Sequence, residues 1–144
     1  MIKKIALACD HAGYEMKIEL INYLKFNGYE IEDHGTHSTD SCDYPDFAHP
    51  MAQSVEDGKS DIGITLCGSG NGINMVANKH EKIRSALCWE VELAKMARLH
   101  NDANVCSLPA RYISLEKAKA IIDTFLSTNF EGGRHIARIN KIPL

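Results

Sequence analysis

Short apolar runs alternate with longer helical stretches along the chain, and this alternation restricts the fold more than any other feature. Five apolar runs have the character of strands, at about residues 5–9, 29–33, 62–66, 83–88 and 104–108. Between them, apolar residues recur at the three-to-four-residue spacing of amphipathic helices. Strands that alternate with helices pair in parallel, with helices covering both faces of the sheet. The sequence therefore predicts an α/β fold, a Rossmann-like, doubly wound and mostly parallel five-stranded sheet with helices on both faces.

Local signals indicate where the helices begin and end. Asn27-Gly28 ends the first helix, Pro45 lies in the first turn of the second, and Ser114 can cap the last long one. Two further helices are predicted at about residues 73–78 and 90–99. No low-complexity linker or internal repeat divides the chain. We therefore expect one domain over residues 1–144, with a basic C-terminal segment at about 130–144.

The charge distribution favours a small anionic ligand. Sixteen Lys and Arg against nineteen Asp and Glu give a net charge of −3, which argues against a nucleic-acid partner. The arginines nevertheless all lie in the second half of the chain, and guanidinium groups suit carboxylates and phosphates. They are Arg84, Arg98, Arg111, Arg134 and Arg138.

The N-terminal sequence and the cysteines indicate the cellular compartment of the protein. The first apolar run ends at Asp10-His11 and is too short for a signal-peptide core. The five cysteines are widely separated and include no C-x-x-C pair, so neither a disulfide framework nor a zinc knuckle is predicted. We therefore expect a cytoplasmic protein with reduced thiols and no membrane partner.

The loop that follows the third strand, Cys67-Gly68-Ser69-Gly70-Asn71-Gly72, is the sharpest chemical signal. Ligands of doubly wound sheets bind beyond the carboxyl ends of the strands, where this loop and Asp10-His11 fall. Its three glycines free several backbone N–H groups, and the next helix adds its positive dipole end. An anion hole is predicted, with a tight turn that uses glycine for geometry alone as the alternative. The pattern matches neither a dinucleotide fingerprint nor a Walker loop.

Cys67 opens this loop, where backbone donors and the helix end favour its thiolate form. A phosphatase-like nucleophile would need an arginine six residues further on, and this chain has Ile73 there. A general base, the other possible role of Cys67, needs only a suitable position and a suitable thiol pKa. A small core cysteine is the alternative.

Two of the histidines stand at element boundaries beside polar residues. His11 follows Asp10 and His100 precedes Asn101, so either could carry a proton. No metal site is predicted, because no cysteine or carboxylate cluster completes the loop pair His34 and His37. Position gives no functional argument for three others, namely His49, His80 and His135.

Arg134 and Arg138 are four residues apart near the C-terminus. On a helix they would share one face and could close on a phosphate dianion. A solvated basic tail is the equal alternative.

Six blocks of the sequence, in order and nearly end to end, resemble the ribose-5-phosphate isomerase B family, which has galactose-6-phosphate and allose-6-phosphate isomerases among its relatives. The blocks are Ala8–Gly13, Asp43–Asp46, Cys67–Gly72, Ala77–Lys79, His100–Val105 and Glu131–His135. The resemblance implies a metal-independent and cofactor-free isomerase that interconverts ribose 5-phosphate and ribulose 5-phosphate through an enediolate. The alternatives are a hexose 6-phosphate isomerase or a subunit of one, and a non-catalytic sugar-phosphate binding module.

The resemblance also implies a role for each candidate residue. Cys67 would remove the C2 proton, because Ile73 stands where some members carry a glutamate base. Ser69 would hydrogen-bond or protonate the sugar oxygens, while His100 and Asp10 would assist opening of the furanose. Hydroxyls and enediolate oxygens would be bound by Tyr44, Asn101, Gly68, Gly70, Asn71 and Gly72, and the phosphate by His11, Arg111, Arg134 and Arg138.

The order of the strands keeps two groups of the candidate site residues apart within one chain. His100 and Asn101 precede the fifth strand whereas Cys67 follows the third, so they lie at opposite ends of a parallel sheet. The separation is about five residues at about 3.3 Å each. We therefore expect a homodimer in which the partner supplies His100 and Asn101 to the Cys67 loop, as the resemblance also implies. The sequence leaves open whether dimers pair into tetramers and which subunit supplies Arg134 and Arg138.

Overall fold

Strands and helices alternate from one end of the chain to the other in a computed structural model that describes residues 1–144. The strands are β1 (Lys4–Cys9), β2 (Glu30–Asp33), β3 (Ile62–Cys67), β4 (Ser85–Leu87) and β5 (Val105–Pro109). The helices are α1 (Tyr14–Phe26), α2 (Pro45–Glu56), α3 (Asn71–Ala77), α4 (Val91–Asn101), α5 (Leu115–Ser127) and α6 (Arg134–Ile139). One sheet contains all five strands in the order β2-β1-β3-β5-β4, and every pair is parallel. The predicted fold class is confirmed.

The two faces of the sheet bury different helices. Ile5 and Leu7 of β1 pack in a core with α1, α4 and α5, whereas Ala6 and Ala8 pack with α2 and α3 on the other face. Successive side chains of a strand point to opposite faces, so a strand that is apolar throughout is buried on both. No helix combines the length and the apolar character that a membrane crossing requires.

Element boundaries differ from the sequence prediction by two residues at three places, and by at most one residue at the other ends of the predicted strand and helix ranges. α3 begins at Asn71, about two residues early, because Gly70 adopts a left-handed φ of 76° and starts the helix inside the loop. β4 contains only residues 85–87 of the predicted 83–88. α4 continues to Asn101, and Asp102, with φ 45°, ends it.

A buried lysine holds the segment that follows β2 against the end of β1. Lys17 of α1 is fully buried, forms an ion pair with Asp33, and donates to the carbonyl of Thr36 at 2.7 Å. Asp33 also accepts the N–H of Gly35 at 3.0 Å. Cys9 in turn donates to the Gly35 carbonyl at 2.7 Å and accepts from the Thr36 N–H at 2.8 Å. These contacts fix the carboxyl end of β1, where the candidate site begins.

Candidate active site

The loop between β3 and α3 folds back onto the sulfur of Cys67. The backbone N–H of Gly70 donates to Cys67 Sγ at 3.1 Å, and Cys67 is 5% exposed. Ser69 Oγ accepts the N–H of Asn71 at 3.3 Å. The thiol and the hydroxyl therefore lie within one turn of backbone donors at the start of α3, an arrangement that suits a group which gains negative charge.

Two glycines of the loop allow close approach that a side chain would prevent. A Cβ on Gly70 would lie 2.5 Å from Leu87 Cδ1 and 3.1 Å from the backbone of Leu108. A Cβ on Gly72 would lie 2.5 Å from the Tyr44 ring, so the phenol of Tyr44 packs directly on the loop. Both glycines are required by contact, and Gly70 is also required by its left-handed backbone conformation.

Gly70→Ala should lower the free energy of unfolding by about 3 kcal/mol, since a left-handed alanine costs about 1–2 kcal/mol and the clash adds to it. Gly58→Ala is the matched control, because Gly58 has nearly the same φ, 73°, and no atom within 4 Å of an added Cβ. Urea denaturation of the two variants measures the difference. Equal losses would mean that the loop relaxes around the methyl group and that its packing is loose.

The carboxyl end of β1 lies beside this loop. The Asp10 N–H donates to the carbonyl of Leu66 at 3.2 Å, and Asp10 Oδ1 accepts the N–H of Ala12 at 2.9 Å. His11 Nδ1 accepts the N–H of Cys42 at 3.3 Å. Because Nδ1 is an acceptor, the neutral ring carries its proton on Nε2, where it can be donated to an anion.

Arg111 reaches the loop from the end of β5. Its backbone N–H donates to the Gly68 carbonyl at 3.1 Å, and a Cβ on Gly68 would lie 3.1 Å from Arg111 Nη1. Ten of the predicted site residues therefore gather at the carboxyl edge of the sheet. They are Asp10, His11, Tyr44, Cys67, Gly68, Ser69, Gly70, Asn71, Gly72 and Arg111.

The other four predicted site residues lie at the opposite edge. The register of β3 with β5 pairs Cys67 with Pro109 at the carboxyl edge and Gly63 with Val105 at the amino edge. His100 and Asn101 end α4 just before Val105. α6, which carries Arg134 and Arg138, packs on α4 beside them. One chain does not bring the two groups together.

His100 has neighbours that the sequence analysis missed. Its ring stacks on that of His135 with centroids 4.4 Å apart, and His135 is buried. Glu131 Oε2 lies 3.3 Å from His135 Nε2 and 3.8 Å from His100 Nε2. The four-residue spacing of Glu131 and His135 was the available signal for that pair, whereas their contact with His100 depends on how α6 packs.

The remaining buried cysteines belong to the core. Cys9, Cys88 and Cys106 have no exposed surface. Burial raises the pKa of the Cys9 thiol to about 12, although the nearby Lys17 charge opposes the shift. Cys9 therefore stays a neutral thiol at physiological pH and cannot serve as a base.

Comparisons with known proteins agree over nearly the whole chain. The family described as Ribose/Galactose Isomerase matches residues 5–142. Ribose-5-phosphate isomerase B of Escherichia coli K12 is 43% identical over 141 residues, which are 98% of this chain and 95% of the relative.

Two solved structures are similar in fold as well as in sequence. A ribose 5-phosphate isomerase from Thermotoga maritima has a TM-score of 0.96 and 51% identity, with 98% of this chain and 97% of that one covered. Ribose-5-phosphate isomerase B of Mycoplasma genitalium, solved with bound ribulose-5-phosphate, has a TM-score of 0.94 and 40% identity, with 99% and 95% covered. On this agreement in family, sequence and fold, the chain belongs to the ribose/galactose isomerase family.

Proposed function

We propose that this protein interconverts ribose 5-phosphate and ribulose 5-phosphate by proton transfer through an enediolate. One observation carries the proposal beyond family membership: Cys67 Sγ lies 3.1 Å from the Gly70 N–H in a loop built for negative charge. Relatives named ribose-5-phosphate isomerase B, one of them solved with ribulose-5-phosphate, support the choice of substrate.

The chemistry needs one base and donors for the oxygens. The Cys67 thiolate removes the proton from C2 of the open-chain aldose, and the electrons move into the C1–C2 bond and onto O1. The thiol then returns a proton to C1, while Ser69 assists the exchange of protons between O2 and O1. The backbone N–H groups of residues 68–72 that are not bound to Cys67 Sγ or Ser69 Oγ stabilise the enediolate where its charge develops. Carbon 1 is reduced and carbon 2 oxidised within one molecule, so the reaction is balanced without a cofactor or a metal ion.

The phosphate and the ring oxygen need residues from both edges of the sheet. Arg111 contacts the Cys67 loop and His11 follows β1 at the same edge of the sheet, while Arg134 and Arg138 accompany His100 on the packed pair α4 and α6. We infer that one partner subunit supplies His100, Asn101 and both C-terminal arginines together. His100 would then open the furanose, with Asp10 beside the ring oxygen.

Exposed apolar side chains support such a homodimer. Met75 on α3, next to the Cys67 loop, is 64% exposed, and Ile136 on α6 is 48% exposed. Ile142, which follows α6, is also exposed. In the inferred two-fold dimer, the surface beside Cys67 on one chain faces the surface beside His100 on the other. Dimer formation would therefore bury the exposed apolar side chains of both surfaces.

The function is tested by comparing kcat/KM for ribose 5-phosphate, allose 6-phosphate and galactose 6-phosphate. We expect ribose 5-phosphate to be preferred by about a hundredfold, since one extra carbon displaces C2 from Cys67 once the phosphate is fixed. Preference for a hexose phosphate would identify a hexose isomerase instead. Binding of all three without turnover would identify a sugar-phosphate binding module.

A further inference from the structure

His100, Glu131 and His135, called here the histidine–glutamate cluster, offer one metal-ligand atom each, and the three atoms lie within 4.8 Å of one another. The carboxylate oxygen Glu131 Oε2 lies 3.3 Å from Nε2 of His135 and 3.8 Å from Nε2 of His100. Zinc bonds of about 2.1 Å in a tetrahedron place neighbouring ligand atoms about 3.4 Å apart. The three ligand atoms are therefore already grouped near zinc spacing, and His100 must turn out of its stack on His135 for both Nε2 lone pairs to point at one ion.

The burial of the three side chains shows which of them can move. His135 is buried and serves as the fixed member, with 8% of its side chain exposed. The side chains of His100 and Glu131 are 40% and 58% exposed, so both can rotate toward a common point. A neutral imidazole protonated at Nδ1 presents its Nε2 lone pair to the metal, and the carboxylate lowers the positive charge at the centre.

A second group with the same residue types lacks this geometry. His80 Nδ1 lies 3.1 Å from Glu56 Oε2, and His80 Nε2 lies 3.0 Å from His49 Nδ1. Because His80 uses its two opposite ring nitrogens, its partners lie on different sides of the ring. One ion cannot bind all three side chains, so the Glu56–His80–His49 chain is a matched control.

We propose that the histidine–glutamate cluster binds Zn²⁺ through Nε2 of His100, Nε2 of His135 and the Glu131 carboxylate, with water in the fourth position, and that the bound ion inhibits the isomerase. The inhibition rests on the proposed function, in which His100 opens the sugar ring. A metal bond to Nε2 removes the lone pair that would otherwise carry that proton.

Binding is tested first in the Cys67→Ser protein, which lacks the thiol most able to compete for metal. Isothermal titration calorimetry with Zn²⁺ should give one site per chain, and Co²⁺ should give a visible spectrum without a thiolate charge-transfer band. Glu131→Gln or His135→Gln in this background should weaken binding at least about tenfold, whereas His80→Gln should not. Absence of binding, or equal affinity in all these variants, would overturn the site.

Inhibition is tested in the protein that retains Cys67. Zn²⁺ should inhibit the isomerase, and a chelator should restore its activity. Glu131→Gln should raise the half-inhibitory Zn²⁺ concentration at least about tenfold relative to His80→Gln. Unchanged inhibition in Glu131→Gln would assign the effect to the thiol and overturn inhibition through the cluster. A protein without any isomerase activity would refute the proposed function instead, and the calorimetric result would still decide the metal site.

Discussion

Cys67→Ser should lower kcat for ribose 5-phosphate by about 10²- to 10⁴-fold, the range for loss of a positioned general base. A serine hydroxyl is a much weaker acid than a thiol, so almost none of the variant carries a deprotonated side chain that could remove the C2 proton. The oxygen can still accept the Gly70 N–H that donates to the sulfur at 3.1 Å, so the loop should keep its shape. The effect should therefore fall on kcat, with KM little changed. Steady-state kinetics in both directions measure it.

Cys42→Ser is the matched control. Cys42 is half-buried, and its backbone N–H, which a serine keeps, donates to His11. Its substitution should leave turnover unchanged. Incorporation of solvent deuterium from D₂O into unreacted sugar phosphate should fall with kcat in Cys67→Ser. Normal turnover in Cys67→Ser would mean that another group removes the C2 proton. Ile73 on α3 cannot be that group, because its side chain has no basic atom.

The alternation of apolar runs was enough to predict the sheet, because a strand buried on both faces is apolar at nearly every position. β1 illustrates this, with Ile5 and Leu7 on one face and Ala6 and Ala8 on the other. The start of β4 could not be predicted in this way. Arg84 lies in the apolar run just before the first residue of β4, and its guanidinium donates to the carbonyls of Asn101 and Asp102, contacts that the apolar run does not indicate.

The site was predictable where it follows from topology. Asp10 and Cys67 end neighbouring parallel strands, so their meeting at one edge follows from the strand assignments alone. Contacts that depend on how helices pack were not predictable. The stacking of His135 on His100 joins residues 35 positions apart through the docking of α6 on α4. Lys17 was missed for the same reason, since a lysine on an amphipathic helix is ordinarily solvated.

The opposite positions of Cys67 and His100 lead to a prediction about mixed dimers. Cys67→Ser and His100→Asn should each be nearly inactive as homodimers. In a dimer of one chain of each kind, one shared site carries both substitutions and the other carries neither. Random assortment makes half of the dimers mixed, so a co-refolded equal mixture should recover about a quarter of wild-type activity. Residues that act within one chain would give no recovery.

The same experiment assigns the arginines. Arg138→Ala mixed with Cys67→Ser should also recover about a quarter of the activity if Arg138 arrives with His100 from the partner. Arg111→Ala mixed with Cys67→Ser should recover none, because Arg111 lies against Gly68 of its own chain and every mixed dimer then lacks a complete site. Recovery with Arg111→Ala, or none with Arg138→Ala, would move the arginine concerned to the other subunit. The pattern of recovery therefore reports which edge of the sheet each phosphate ligand serves.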